Sequence, residues 1–227
     1  MSQLVQSVVF VTVAHRSTDP EAALAVVNGE VLLAHTVRGL LGTPEIDLVA
    51  VVAPERCAAI FSEVIAGFPG AVTGPPNHCR VVPGPSLRQA FAAVEPELSP
   101  DATVLVHDAL RAFTPQGTIR DVLGAVRAGA GVVVPVLPMA DTVKSTDEAR
   151  LITGTVDREG LRTAQTPIGF ALPEFRAALG TDAVLDAAVL AGAATVPGHP
   201  DAMRVASAFE LTLAEALVAL HGHEEPL

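Results

Sequence analysis

Residues 104–113 read VLVHDALRAF and set His107, Asp108 and Arg111 directly behind the apolar run Val104 to Val106. An acid and a base three positions apart, where a buried strand leaves the core, have two readings. In an open α/β sheet, ligands sit at the carboxyl ends of the strands, so the stretch reads as the rim of an active site. Otherwise it is a polar loop start, with Asp108 and Arg111 forming a structural ion pair. The elements that must carry these residues weigh one reading against the other.

Those elements alternate. The Val-rich run SVVFVTVA (7–14) has the character of a parallel strand covered on both faces. Asn28-Gly29 marks a turn, and EVLLAHTVRGLL (30–41) sets Val31, Leu32, Ala34, His35, Val37 and Leu41 along one helical face. A second strand, IDLVAVVA (46–53), precedes a helix opened by Pro54, a residue suited to a first helical turn. HCRVVP (78–83) reads as a third strand, and SLRQAFAAVEPEL (86–98) as a helix capped by Ser86. ATVLVHD (102–108) is the fourth strand, PQGTIRDVLGAVRAG (115–129) a helix ending at glycine, and GVVVPVLP (131–138) the fifth strand. Strands separated by helices predict βαβ units and a mostly parallel sheet. From 140 to 167 the segment ADTVKSTDEARLITGTVDREGLRTAQTP carries short β-prone pieces and no helical period. A stretch of that length without helix is usually functional or part of an interface, and it reads as a β-arm standing off the sheet. Helices follow over 173–179 and 181–192, with a short strand at Met203 to Val205. Ser207 and Glu210 have capping-box spacing ahead of a last helix. No linker or internal repeat divides the chain, so residues 1–227 are expected to form one domain, with 141–165 protruding.

Composition narrows the function. The net charge of −11 excludes a broad basic face for nucleic acid, and no apolar run approaches the ~18 residues of a membrane span. The N-terminus has no basic, cleavable leader pattern, so a cytoplasmic protein is expected. Cys57 and Cys79 fit no metal-ligand spacing and read as buried thiols. Lys144 is the one lysine among 14 basic residues, which rules out any mechanism needing two lysines. His221 and His223 sit in a tail with no other metal-binding signal.

Five stretches taken in order carry a resemblance. VLVHDALRAF, PVLPMADTVKS, TVDREGLRTAQTPIGF, TDAVLDAA and DAMRVASAFELTLAEALV resemble the successive motifs of the 2-C-methyl-D-erythritol 4-phosphate cytidylyltransferase family. The resemblance implies a Rossmann-like three-layer sandwich and a homodimer whose two subunits embrace through their β-arms. It also implies transfer of CMP from CTP to a polyol phosphate in non-mevalonate isoprenoid synthesis, with Mg²⁺ as the cofactor if the chain is active. Residue by residue, it assigns Asp108, Arg111, Thr142, Arg158, Thr166 and Thr181 to a phosphorylated substrate, with Thr142 and Arg158 reaching across the dimer. Gly84, Ser86 and Arg88 fall on nucleotide-side positions, and Arg16 and Arg204 on catalytic ones. Arginine offers phosphate a planar fork of donors, and threonine hydroxyls can complete the shell.

The departures from the family pattern fall mostly on the nucleotide side. In place of A-A-G-x-G-x-R-M followed by P-K-Q, the chain reads VAHRSTDPEAALAVVNGE, with no glycine before Gly29 and with Glu21 in the neighbourhood of the lysine. A triphosphate cradle needs close backbone approach, often at φ values that side chains resist. The segment G-G-x-x-R-x-x-[ST] becomes GPSLRQAF, so Pro85 and Phe91 stand where an amide and a hydroxyl donor would be. I-K-[VI]-T becomes MRVA, which leaves Arg204 at the lysine position. Each lost preorganised donor costs ~2.7–4 kcal/mol at the transition state. The expectation is weak or lost CTP chemistry; the alternative is a non-catalytic paralogue that binds a small phosphorylated molecule or acts as a regulatory dimer.

Overall fold

The computed structural model describes residues 4–13, 19–68, 78–84, 86–179 and 190–221. The Val-rich segments form the middle of the sheet because they are apolar on both faces. Along β1 (Val5–Thr12), Val9 and Val11 pack to one side, and Val8 and Phe10 to the other. Asn28 and Gly29, both at positive φ, turn β2 (Val26–Val27) back on β3 (Glu30–Val31), so α1 (Leu32–Leu41) starts one residue later than its apolar face suggests. β4 (Leu48–Ala53), α2 (Glu55–Ile65) and β5 (His78–Pro83) follow as the sequence predicts. Ser86 caps α3 (Leu87–Val94), accepting the Gln89 N–H at 3.3 Å. Pro96 lies in a single 3₁₀ turn after this helix, and β6 (Leu98–Asp108) begins at once. α4 (Gln116–Arg127) then leads to β7 (Val132–Pro138).

The β-prone region is a hairpin of β8 (Lys144–Thr146) and β9 (Ile152–Thr155), exposed along most of its length, and a strand β10 (Arg162–Ala164) that pairs with β7. β11 (Ile168–Ala171) leads into α5 (Leu172–Leu179). The strand expected at Met203 to Val205 does not form; that stretch meets the sheet region through a single backbone bond, Val205 N–H to the Leu110 carbonyl at 2.8 Å. The strand of this region is β12 (Ala194–Pro197), whose small residues hide its character. α6 (Ala208–His221) completes the described chain; Ser207 accepts the Glu210 N–H, and the Glu210 carboxylate reaches back to the Ala206 N–H. Most of the helix expected over 181–192 lies outside the described residues.

Eight of the described strands form one sheet, ordered β10-β7-β11-β6-β1-β4-β5, with β12 paired to β7. β5, β4, β1 and β6 are mutually parallel. β11 enters antiparallel between β6 and β7, so the β6-α4-β7 unit spans a strand that arrives later in the chain. Gly169 on β11 lets α4 close onto the sheet, since a Cβ there would lie 2.5 Å from Val122. α1, α2 and α4 cover one face, and α3 and α5 the other, giving three layers. On the second face Phe10, Phe91, Phe170 and Phe175 pack ring on ring, with centroids 5.1–6.2 Å apart. Among the described residues no helix is long and apolar enough to cross a membrane.

Candidate functional site

The chain runs β1, β4, β5 outward in one direction and then returns to lay β6 on the other flank of β1. The sheet therefore has its switch point between β1 and β6, and the register aligns Thr12 with Asp108 at their carboxyl ends. In an open sheet the connections diverge at such a point, which makes it the usual ligand position. β11 runs antiparallel, so Thr166, just before it, comes to the same edge. The segment after β12 comes there too, carrying Arg204.

Asp108 is the hub. Its Oδ1 accepts the Leu110 N–H at 3.0 Å, and its Oδ2 accepts Arg204 Nε–H at 2.6 Å. The Asp108 side chain is 6% exposed and that of Arg204 23%, so the pair is largely buried, with Arg204 reaching solvent. Arg111 donates through Nη1 to the Ala202 carbonyl at 2.5 Å and through Nη2 to the Ala164 carbonyl at 3.4 Å. Burial lowers the Arg111 pKa, and neighbouring Arg204 lowers it further against the pull of Asp108. The carboxylate thus orients the Arg204 guanidinium directly, while backbone carbonyls hold that of Arg111 within its field. A charge-assisted bond of this length is roughly twice as strong as a neutral one.

Beneath this layer lies His107, 2% exposed. Its Nε2 faces the Arg111 carbonyl at 3.3 Å, and its Nδ1 faces the Thr166 hydroxyl at 3.1 Å. A carbonyl can only accept, so Nε2 carries the proton. Burial pushes the imidazole pKa down to about 4, which leaves the ring neutral and Nδ1 bare. Thr166 must then donate to Nδ1 while accepting the Asp108 N–H at 3.0 Å. The hydroxyl proton of Thr166 is committed to His107, so what it offers a ligand is a lone pair.

Of the residues singled out in the sequence, Asp108, Arg111, Thr166 and Arg204 come together. Thr142 and Arg158 lie on the exposed arm, where Arg158 donates to the Ala140 carbonyl. Gly84 is buried where β5 ends, its N–H on the Ala53 carbonyl at 2.9 Å. Ser86 caps α3, and Arg88 on the same helix donates to the Leu179 carbonyl. Arg16 and Thr181 lie outside the described residues. Phe91 is 5% exposed inside the aromatic cluster, so its side chain faces the core rather than a ligand. Glu21 is exposed in a 3₁₀ turn that Asp19 caps, and Asp19 pairs with Arg56 at 3.1 Å. Sequence reasoning passed over Gln165, which is 3% exposed and bonded to the Arg204 segment. A lone amide in a mixed polar stretch gives no warning of burial. No group of three or more His, Cys, Asp or Glu side chains able to hold a metal ion occurs among the described residues.

Comparisons with known proteins agree on one lineage. The family model of 2-C-methyl-D-erythritol 4-phosphate cytidylyltransferase matches residues 15–220. The protein of that name from Saccharopolyspora erythraea is 45% identical over 210 residues, covering 87% of this chain and 90% of its own. Its counterpart from Nocardia farcinica is 38% identical over 203 residues, covering 86% and 85%. The crystal structure of the Thermus thermophilus cytidylyltransferase superposes with a TM-score of 0.66 at 29% identity, over 96% of this chain and 100% of that one.

Proposed function

Because the chain belongs to the 2-C-methyl-D-erythritol 4-phosphate cytidylyltransferase family, we propose that it transfers CMP from CTP to 2-C-methyl-D-erythritol 4-phosphate, in the cytoplasm, for isoprenoid synthesis. The observation that carries this reading is the Arg204–Asp108–Arg111 cluster at the β1/β6 switch point. In the reaction a phosphate oxygen of the acceptor attacks the α-phosphorus of CTP. The new P–O bond forms as the α–β bridge breaks, and pyrophosphate leaves with the electron pair. Negative charge builds on the α-phosphoryl oxygens, and guanidinium groups fixed beforehand stabilise it without reorganising. Arg204 and Arg16 take that role; Asp108, Arg111, Thr166 and Thr181 hold the acceptor; Gly84, Ser86 and Arg88 serve the cytidine side. Both Asp108 oxygens accept hydrogen bonds, from Leu110 and Arg204, which fixes the carboxylate in place. Mg²⁺ enters as the counter-ion of the triphosphate, as part of the substrate.

The reading includes a homodimer. The β8–β9 hairpin presents Leu151 and Ile152 at 65% and 68% exposure, and apolar tips of this kind suit burial by a second copy. Thr142 and Arg158 on that arm would complete the acceptor site of the partner. The test is pyrophosphate release from CTP, 2-C-methyl-D-erythritol 4-phosphate and Mg²⁺, with light scattering on the same sample. Release that depends on the acceptor, from a dimer, supports the proposal. Phosphate binding without release points to the non-catalytic alternative, and a monomer removes the role given to the arm.

A further inference from the structure

Gln165 stands between β10 and β11, and every polar atom of its amide is used within the chain. Nε2 donates to the His199 carbonyl at 2.8 Å and to the Ala202 carbonyl at 3.4 Å, while Oε1 accepts the His199 N–H at 2.9 Å. The reverse amide orientation would set an NH₂ against an N–H, so the chemistry fixes which end is which. The facing loop is shaped to this side chain. A Cβ on Gly198 would overlap Oε1 and lie 3.1 Å from the Val136 carbonyl carbon, so no side chain fits there while Gln165 keeps its place. The Ala202 carbonyl also accepts Arg111 Nη1, and Arg111 Nη2 reaches the carbonyl of Ala164, the residue before Gln165. Two residues beyond Ala202, Arg204 donates to Asp108. One buried amide therefore joins the strand end carrying Thr166 to the loop carrying Arg204, and Arg111 closes the same ring from β6.

We propose that Gln165 is a positioning residue which, with Gly198 making room for it, clamps segment 198–205 so that Arg204 is held on Asp108 beside Arg111. Its kinetic consequence rests on the transferase reading above; its geometric consequence does not. A carboxylate could not substitute, because it would face two carbonyl oxygens that need a donor. Displacing a reacting group by about 1 Å costs ~10²-fold in rate.

The experiment uses the full chain and the variants Gln165→Glu, Gln165→Leu and Gly198→Ala, with two readouts. One is acceptor-dependent pyrophosphate release across pH. The other is the NMR signal of the Arg204 Nε–H, identified by its loss in Arg204→Lys and shielded from exchange by Asp108. In Gln165→Glu the introduced carboxyl lies among carbonyls and faces Arg111 from the loop after β6. His199 and Asp201 flank it on the clamped loop, with His107, Asp108 and Arg204 beyond. Burial against carbonyls favours its protonated form, which can donate as the amide did. Gln165→Glu should then lose ~10²-fold in turnover near neutral pH and recover below about pH 6, where the Arg204 signal returns with it. Gln165→Leu and Gly198→Ala should lose both signal and turnover without acid recovery, in chains whose backbone spectra remain dispersed. An Arg204 signal unchanged in all three variants overturns the clamp, as does wild-type turnover by Gln165→Glu at every pH. If the unsubstituted chain releases no pyrophosphate, the transferase reading fails while the Arg204 signal still decides the clamp.

Discussion

Replacing Asp108 with asparagine separates orientation from charge at the site. The substitution keeps an oxygen for the Leu110 N–H but turns an NH₂ towards Arg204 Nε, so one bond survives and the 2.6 Å ion pair does not. Breaking one side of a buried pair costs ~3–5 kcal/mol. Arg204 retains 23% exposure and can swing partly into water, which reduces the expected loss to ~2–3 kcal/mol. In a chain of this length each kcal/mol moves the melting temperature by ~2–4 °C, so a fall of ~4–12 °C is expected. Anion binding has the more telling sign. A carboxylate beside an anion site repels the anion, so if Asp108 acted by charge alone, its removal would tighten phosphate binding. If Asp108 orients Arg204, its removal weakens binding and lowers acceptor kcat/KM by ~10²-fold. The assay is thermal unfolding with and without inorganic phosphate, since a ligand that binds the native state raises its stability by RT ln(1 + [L]/Kd). An Asp108→Asn variant that melts at the wild-type temperature and takes phosphate more tightly refutes the reasoning.

Three further outcomes follow from the same geometry. His107 is held neutral with its pKa pushed to about 4, below the ~6.5 of an unfolded histidine, so between those values the unfolded chain binds the extra proton. Its contribution is full above about pH 6.5 and declines by at most ~1.4 kcal/mol per pH unit as pH falls towards 4; urea unfolding across pH should show this slope, and His107→Gln should flatten it. Exposed Glu21 stands in the neighbourhood of the family's lysine, so Glu21→Lys should leave the melting temperature nearly unchanged and raise turnover by ~10-fold or more, with an unchanged rate counting against the proposed nucleotide position. Phe91→Ser restores the family's hydroxyl but opens the aromatic cluster, so it should cost ~3–5 kcal/mol in urea unfolding with no gain in CTP affinity by calorimetry.

What the sequence makes legible depends on how far a residue's partners lie along the chain. β1 and β4 can be read because strands buried on both faces must be continuously apolar, β7 because it is a Val-rich run, and α3 and α6 because their caps are local. β11 between β6 and β7 cannot be read, because nothing in Ile168–Ala171 encodes its pairing with both β6 and β7. β12 is missed because Ala194 and Pro197 dilute its apolar pattern, while the alternation at Met203 to Val205 imitates one. Asp108 and Arg111 declare themselves as a polar pair ending an apolar run. Thr166 and Arg204, 58 and 96 residues from Asp108, emerge only by resemblance to a family. Phe91 shows the limit of that second route. Read along the family pattern, it is a donor removed from a nucleotide site; in space it closes the ring cluster of Phe10, Phe170 and Phe175 on the inner face of α3. A hydroxyl at that position and an aromatic ring there cannot serve the same neighbours, so α3 in this chain is anchored by its core face. The cytidine contacts proposed for this helix are then left to its N-terminal end, where Ser86 is exposed as it caps the first turn, while Gly84 is buried with its N–H on the Ala53 carbonyl.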